Sequence, residues 1–338
     1  MKVSVIQKIT RSKIFQLVCI ALVVIIITAV AKPKAYSSGN VRQIMNNVTI
    51  LAIFVCGVAP LLMCGGIDWA GSAIGTAALM VFAKGLELYP SIPWPVMLLP
   101  LILTGAILGL INSFFIIRLK LVAFIATMAM ATVLSGLSMW AVKGVQIQIT
   151  NKAFTTISSK FIFDTVPVFF IFAMVLVILY SLMLIHTTFG RSILMCGGNA
   201  TAARLAGLNP DKIKTILYIN SGVIAALGGA IWGAMNRMAT PTALSATTPH
   251  MSAFIGSMLG GVSFFGGSGS LAGGFVGVAL VQLLAYSLQS LGVPIWVNGL
   301  INGSLLIVAL TIDDITRRLR LRKLGVKAAA SKTVMPGM

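Results

Sequence analysis

About ten times along its length the chain runs apolar for the distance that a bilayer's hydrocarbon core requires. The runs are 14–31, 47–64, 70–89, 96–117, 121–142, 164–185, 213–233, 250–265, 269–290 and 295–312. A helix rises about 1.5 Å per residue, so about 20 residues cross a core about 30 Å thick. Lipid offers no partner to a free backbone N–H or C=O, so helices or a closed barrel must satisfy them internally. The runs therefore define an all-α, polytopic membrane bundle. The run 250–265 is short, and the stretch 65–75 is so rich in glycine that a span there breaks or re-enters.

Composition agrees. Hydrophobic residues make up 58% of the 338 residues and charged residues only 9%, with a mean hydropathy of +1.01. Soluble chains carry about 25% charged residues, and so little charge could not solvate a globular surface. The formal charge of +19 would suit a nucleic-acid partner. The basic residues, however, sit in short runs beside apolar segments, which is the pattern of membrane topology and anionic lipid. No nucleic-acid partner is expected.

With the N-terminus cytoplasmic, ten spans put 17 basic residues inside and 8 outside. The positive-inside rule thus favours both termini inside. The chain 1–338 reads as a single transmembrane domain with a cytoplasmic loop at 186–212 and a basic cytoplasmic tail at 313–338. Outer segments 32–46 and 143–163 read as structured loops. Lys8, Arg11 and Lys13 ahead of an apolar run that ends Ala29-Val30-Ala31 resemble a signal peptide. We read the run as a retained span because more spans follow.

Reactive chemistry is scarce. The glycine-rich run 260–274 lacks the Gly-Lys-Ser/Thr ending of a phosphate-binding loop, so no nucleotide cofactor is expected on this chain. Cys19, Cys56, Cys64 and Cys196 form no CxxC pair, and His186 and His250 stand alone, so no metal site is expected. No catalytic constellation is evident. Ion-coupled transporters keep acids or histidines in their spans. Here Asp68 alone lies close to an apolar segment without a flanking loop, Glu87 and Asp164 sit near span ends, and Asp313 and Asp314 are expected to pair with the basic tail. That scarcity suits a conduit for a neutral polar solute. A secondary transporter or channel for such a solute is the rival.

Polar residues within spans are the candidates for such a pathway or its gate: Asp68, Asn112, Thr127, Asn220, Gln282 and Asn302. Each can equally be interhelical glue, worth about 0.6 kcal/mol. Gly105-x-x-x-Gly109, Gly229-x-x-x-Gly233 and Gly273-x-x-x-Gly277 permit close helix approach. In the loop 186–212, Gly197-Gly198-Asn199 supplies a turn, and Ala200 to Leu208 read as a short helix followed by Asn209-Pro210. That helix either lies at the membrane interface or docks into a soluble partner's groove.

The stretch 189–231 resembles the permease subunits of the ribose, galactoside and autoinducer-2 class of ABC importers. The resemblance rests on Phe189-Gly190-Arg191, Gly197-Gly198-Asn199 and Ala203-Arg204-Leu205-Ala206-Gly207. Two further blocks, GGVSFFGGSGSLAGGFVG (260–277) and GGIDWAGSAIG (65–75), are similar to glycine-rich signatures of that class and lie in the same order. The resemblance implies a second permease subunit, two cytoplasmic ATPase subunits that bind the ATP, and an extracytoplasmic sugar-binding protein. It implies that Gly197, Gly198, Asn199, Ala203, Arg204 and Gly207 form the ATPase contact, or coupling helix. Asp68, with Gly266, Gly267 and Gly269, would then shape backbone rather than bind solute. There are two departures: Trp69-Ala70 replaces a leucine-serine-valine run, and residues 249–255 lack the acids usual before the second block.

Overall fold

The computed structural model describes residues 13–162, 164–244, 249–294 and 296–333. Lys2, Lys8 and Arg11 lie outside the described residues. From the N-terminus come α1 (Lys13–Ala31), α2 (Ser38–Met63), α3 (Gly71–Leu88), α4 (Trp94–Ser113, prolonged by a π-helical turn Phe114–Arg118) and α5 (Ala123–Ala141). A polar segment then holds β1 (Ile147–Gln148), α6 (Lys152–Ile157), β2 (Phe161–Ile162) and β3 (Val166–Pro167). Next are α7 (Val168–His186), α8 (Thr188–Gly198), α9 (Ala200–Leu205), α10 (Pro210–Asn236) and β4 (Met238–Ala239). The chain closes with α11 (Pro249–Leu259), α12 (Leu271–Ser290) and α13 (Val297–Thr333).

Among the described residues nine helices are long and apolar enough to cross a bilayer: α1 to α5, α7, α10, α12 and the first part of α13. The expected span 250–265 is instead the 11-residue α11, which reaches only about 16 Å. Its apolar run continues past Leu259, but Gly260 and Gly261, the latter at φ +95°, end the helix. The glycine-rich stretch does break the helices, since residues 64–70 are non-helical between α2 and α3. A second difference lies at α2, which begins at Ser38, well ahead of the expected start at 47.

The bundle has two distinguishable ends. At one, β1 pairs antiparallel with β4 (Ile147 opposite Ala239), and β2 with β3 (Phe161 opposite Pro167). Arg42 on α2 donates to the carbonyl of Asp164 and lies 4.7 Å over the Phe161 ring, fastening that hairpin. The opposite end carries α8, α9 and the loop 260–270.

Helices α2 and α10 form the centre. About 72% of the apolar window of α2 is buried, against 11% for α1 and 6% for α13. Lipid tails are as apolar as leucine, so helices in a bilayer associate by close packing rather than hydrophobic exclusion. Glycine makes that packing possible: a Cβ on Gly222 of α10 would sit 2.0 Å from the Gly105 carbonyl of α4, and one on Gly277 of α12 would sit 1.9 Å from that of Gly256 on α11. All three small-xxx-small pairs read from the sequence lie at such crossings, Gly229 against Gly75 among them.

Candidate functional site

Near the β-paired end, α2, α10, α11, α12 and α13 enclose an open cavity of about 680 Å³. Its wall follows from helix periodicity. Gln43, Asn46, Asn47 and Ile50 recur at i, i+3, i+4 and i+7 along one face of α2. Gln282, Ala285 and Gln289 do the same on α12, and Asn298 and Asn302 on α13. Asn236, Trp232 and Trp296 complete the rim, so among the described residues eight carboxamides line the space together with apolar and aromatic surface, and none of these lining residues is charged. A second cavity of about 710 Å³ shares Gln43, Asn47 and Gln289 with it and opens beside Lys32, Lys34 and Tyr286.

Carboxamides offer donors and acceptors side by side, which matches hydroxyl groups that both donate and accept. Indole faces give an apolar wall for the C–H faces of a ring. The lining suits a neutral polyhydroxylated solute.

Of the candidate pathway residues, Gln282 and Asn302 line this cavity. The other four are interior. Asn220 donates to the Cys56 carbonyl (3.2 Å) and accepts from the Tyr180 hydroxyl (2.5 Å), joining α10 to α2 and α7. Thr127 on α5 accepts from the Trp69 backbone N–H at 2.9 Å. Asn112 is fully buried with neither amide atom hydrogen-bonded in the structure. Asp68, buried in the break between α2 and α3, accepts from Ser221 Oγ at 2.7 Å and from the Ala70 N–H at 2.9 Å. Its backbone carbonyl accepts from His250 Nε2 at 2.7 Å. That bond ties down the start of α11, whose Pro249 and Ser252 line the cavity. Sequence reasoning passed over Gln43, Asn46, Asn47, Asn236 and Gln289. The i, i+3, i+4 spacing of the first three with Ile50 was the available signal.

At the opposite end the three glycine-rich blocks, distant in sequence, converge. A Cβ on Gly197 would lie 1.9 Å from the Met63 carbonyl and 2.7 Å from the Gly267 nitrogen. One on Gly266 would lie 2.9 Å from both the Gly197 carbonyl and the Gly65 nitrogen. Burial pushes the thiol of Cys64, just beyond α2, up to about 12, and raises that of Cys196 on α8.

The short helix α9 is held at both ends. Asn199 Oδ1 accepts from the N–H groups of Thr201 and Ala202, each at 3.0 Å, an N-cap. At the other end Gly207 has φ +82°, its N–H donates to Arg204 and that of Leu208 to Ala203, a Schellman closure. Asn209 caps α10 through the Lys212 N–H. Arg204 pairs with Asp211 at 3.0 Å, while Ala203 is buried and Leu205 is 87% exposed. The hairpin of α9 and α10 thus presents an ordered, apolar-tipped surface. Leu205 was not among the contact residues inferred from sequence.

Asp314 pairs with Arg318 in the tail at 2.7 Å, as expected. Asp313 does not follow that expectation: its Oδ2 accepts from Ser263 Oγ (3.0 Å) and the Phe264 N–H (2.9 Å). It lies on the bundle-facing side of α13, so the glycine-rich loop reaches it before the tail does.

A helical membrane bundle with a polar cavity at one end and a capped helical hairpin at the other defines a multi-pass permease of the inner membrane. The chain belongs to the family described as branched-chain amino acid transport system / permease component, whose model matches residues 40–310. Among curated proteins it is similar to the ribose import permease protein of Escherichia coli (strain K12), 29% identical over 87% of this chain and 91% of that one. The galactose/methyl galactoside import permease protein of Haemophilus influenzae is 29% identical over 88% and 92%. The autoinducer 2 import system permease protein of Photorhabdus luminescens is 26% identical over 88% and 87%. No solved structure matches the chain.

Proposed function

We propose that this chain is the membrane subunit of an ATP-driven, binding-protein-dependent importer of a sugar or sugar-like solute. The observation that carries the reading is the uncharged cavity lined by carboxamides, with two indoles at its rim. The relatives named for ribose, galactoside and autoinducer-2 import support the solute class.

The orientation follows from charge. The end bearing α8, α9 and α13's basic extension is cytoplasmic, and the cavity faces outward, toward a sugar-binding protein. Helix α9, with Gly197, Gly198, Asn199, Ala203, Arg204 and Gly207 setting its geometry, docks a cytoplasmic ATPase subunit that supplies the ATP site. A second permease subunit completes the pathway. Gln282 and Asn302 contact solute, while Asp68, Thr127 and Asn220 hold the helices that surround it and Asn112 is buried among them without a hydrogen bond. ATPase closure would move α8 and α9, and through the converged glycine blocks the helices of the cavity.

The test is to solubilise the tagged chain gently from its native membrane and identify what co-purifies. The complex is then reconstituted and assayed for uptake of labelled D-ribose and D-galactose. ATP-dependent uptake with a bound ATPase supports the importer. Uptake without ATP, following an ion gradient, overturns it in favour of a secondary transporter.

A further inference from the structure

The loop 260–270 is closed on itself. The Ser263 N–H donates to the Ser268 carbonyl at 3.0 Å, and the Gly266 N–H to that of Ser263 at 3.2 Å. Its glycine edge is packed against Gly197 and Gly198, and the Gly267 N–H donates to the Met63 carbonyl at 2.8 Å. Its other edge, Ser263 and Phe264, hangs from Asp313. An ionised carboxylate that receives two donors makes bonds about twice as strong as neutral ones.

Asp313 sits on a largely exposed helix, with only 6% of the apolar window of α13 buried, which otherwise meets the core through Leu306, Ala309 and Leu310. Eleven residues along the same helix, about 16 Å, lies Asn302 in the cavity wall. A continuous mechanical path therefore runs from α8 through the closed loop to Asp313, and along α13 to the cavity.

We propose that Asp313 is a positioning residue that makes the cavity face of α13 follow the movement of α8 and α9. The inference rests on the importer reading above. Asp313 touches neither solute nor nucleotide; it acts through Ser263 and Phe264. An Asp313→Asn variant keeps one oxygen able to receive both donors and retains part of the linkage, whereas Asp313→Ala removes it.

The test uses the reconstituted complex with its own ATP-binding subunits and needs no identified solute. Asn302→Cys is introduced as a reporter, and its labelling by a membrane-impermeant maleimide is followed with and without vanadate-trapped nucleotide. In the reporter background, trapping is expected to change the labelling rate about tenfold. Asp313→Ala is expected to cut that change to about twofold or less while ATP hydrolysis continues, with Asp313→Asn and Ser263→Ala between the two. Asp314→Ala, whose partner Arg318 lies in the tail, should leave it intact. A full change in Asp313→Ala overturns the inference alone. If that variant fails to assemble, full changes in both Asp313→Asn and Ser263→Ala do the same. A reporter background indifferent to nucleotide overturns the importer reading and this inference with it.

Discussion

His250 Nε2 donates to the backbone carbonyl of Asp68 across 2.7 Å, and its other ring nitrogen lies where a Cβ on Gly71 would have to go, 2.1 Å from that position. One imidazole thus fastens α11 to the break between α2 and α3, and the missing side chain of Gly71 makes room for it. The resemblance implies acids in this stretch, and residues 249–255 carry none. A neutral donor to a carbonyl does the joining here.

The pair predicts a non-additive cycle. His250→Ala leaves the Asp68 carbonyl unpaired in the interior and should cost about 2–4 kcal/mol. Gly71→Ala alone should also destabilise, because its Cβ collides with the ring. The double variant should be no less stable than His250→Ala, since the obstacle is gone. Thermal unfolding of the solubilised protein reads all three, and simple additivity would break the assignment.

Asn112 makes the opposite prediction. Neither amide atom is bonded and the residue is fully buried, so its polar groups are desolvated without return. Asn112→Leu is nearly isosteric and should stabilise the protein by about 1–3 kcal/mol. A fall in melting temperature would mean that a water or a partner subunit satisfies the amide.

At the cavity, Gln282→Ala and Asn302→Ala each remove a hydrogen-bonding arm. Each should raise the KM for the transported sugar about five- to tenfold and leave ATPase binding unchanged. Uptake kinetics in proteoliposomes decide it; unaltered KM in both would exclude these two from the solute path.

Leu205 lies 87% exposed on α9, so Leu205→Asp should leave stability within about 0.5 kcal/mol while abolishing co-purification of the ATPase. Gly207→Ala should instead cost about 1 kcal/mol, because φ +82° disfavours a Cβ. Retention of the ATPase by Leu205→Asp would move the docking surface elsewhere.

Cys64 sets an alkaline limit. Its pKa rises from 9.0 to about 12 through burial, so the folded state holds its proton where the unfolded chain has released it. Below about pH 9 this contributes nothing. Between about 9 and 12 this thiol's own contribution to stability should fall by about 1.4 kcal/mol per pH unit, a share of the alkaline slope that Cys64→Ala removes. Unfolding curves from pH 8 to 11 test the sign. At neutral pH neither Cys64 nor Cys196 should react with a thiol reagent until the protein unfolds.

Spans were legible wherever lipid contact demands an unbroken apolar run, as in α1, α7 and α12. The start of α2 was not, because Gln43, Asn46 and Asn47 face a cavity and so look like loop residues. In α11 the apolar run outlasted the helix, since hydropathy does not register the turn at Gly261. The polar candidates shared one chemistry in sequence but not in place: Asn220 bonds to Cys56 and Tyr180, while Gln282 faces open space. Only tertiary packing separates those fates. The glycine blocks were visible as patterns, yet their meeting around Gly197, Gly266 and Gly65 depends on contacts between segments up to about 200 residues apart.

The missing charge in the cavity wall has an electrical consequence. One elementary charge moved through 100 mV exchanges about 2.3 kcal/mol with the membrane field, whereas a neutral polyol among carboxamides exchanges none. On the proposed function, solute passage through this subunit should be blind to voltage, and a depolarised cell should fill as readily as an energised one so long as nucleotide lasts.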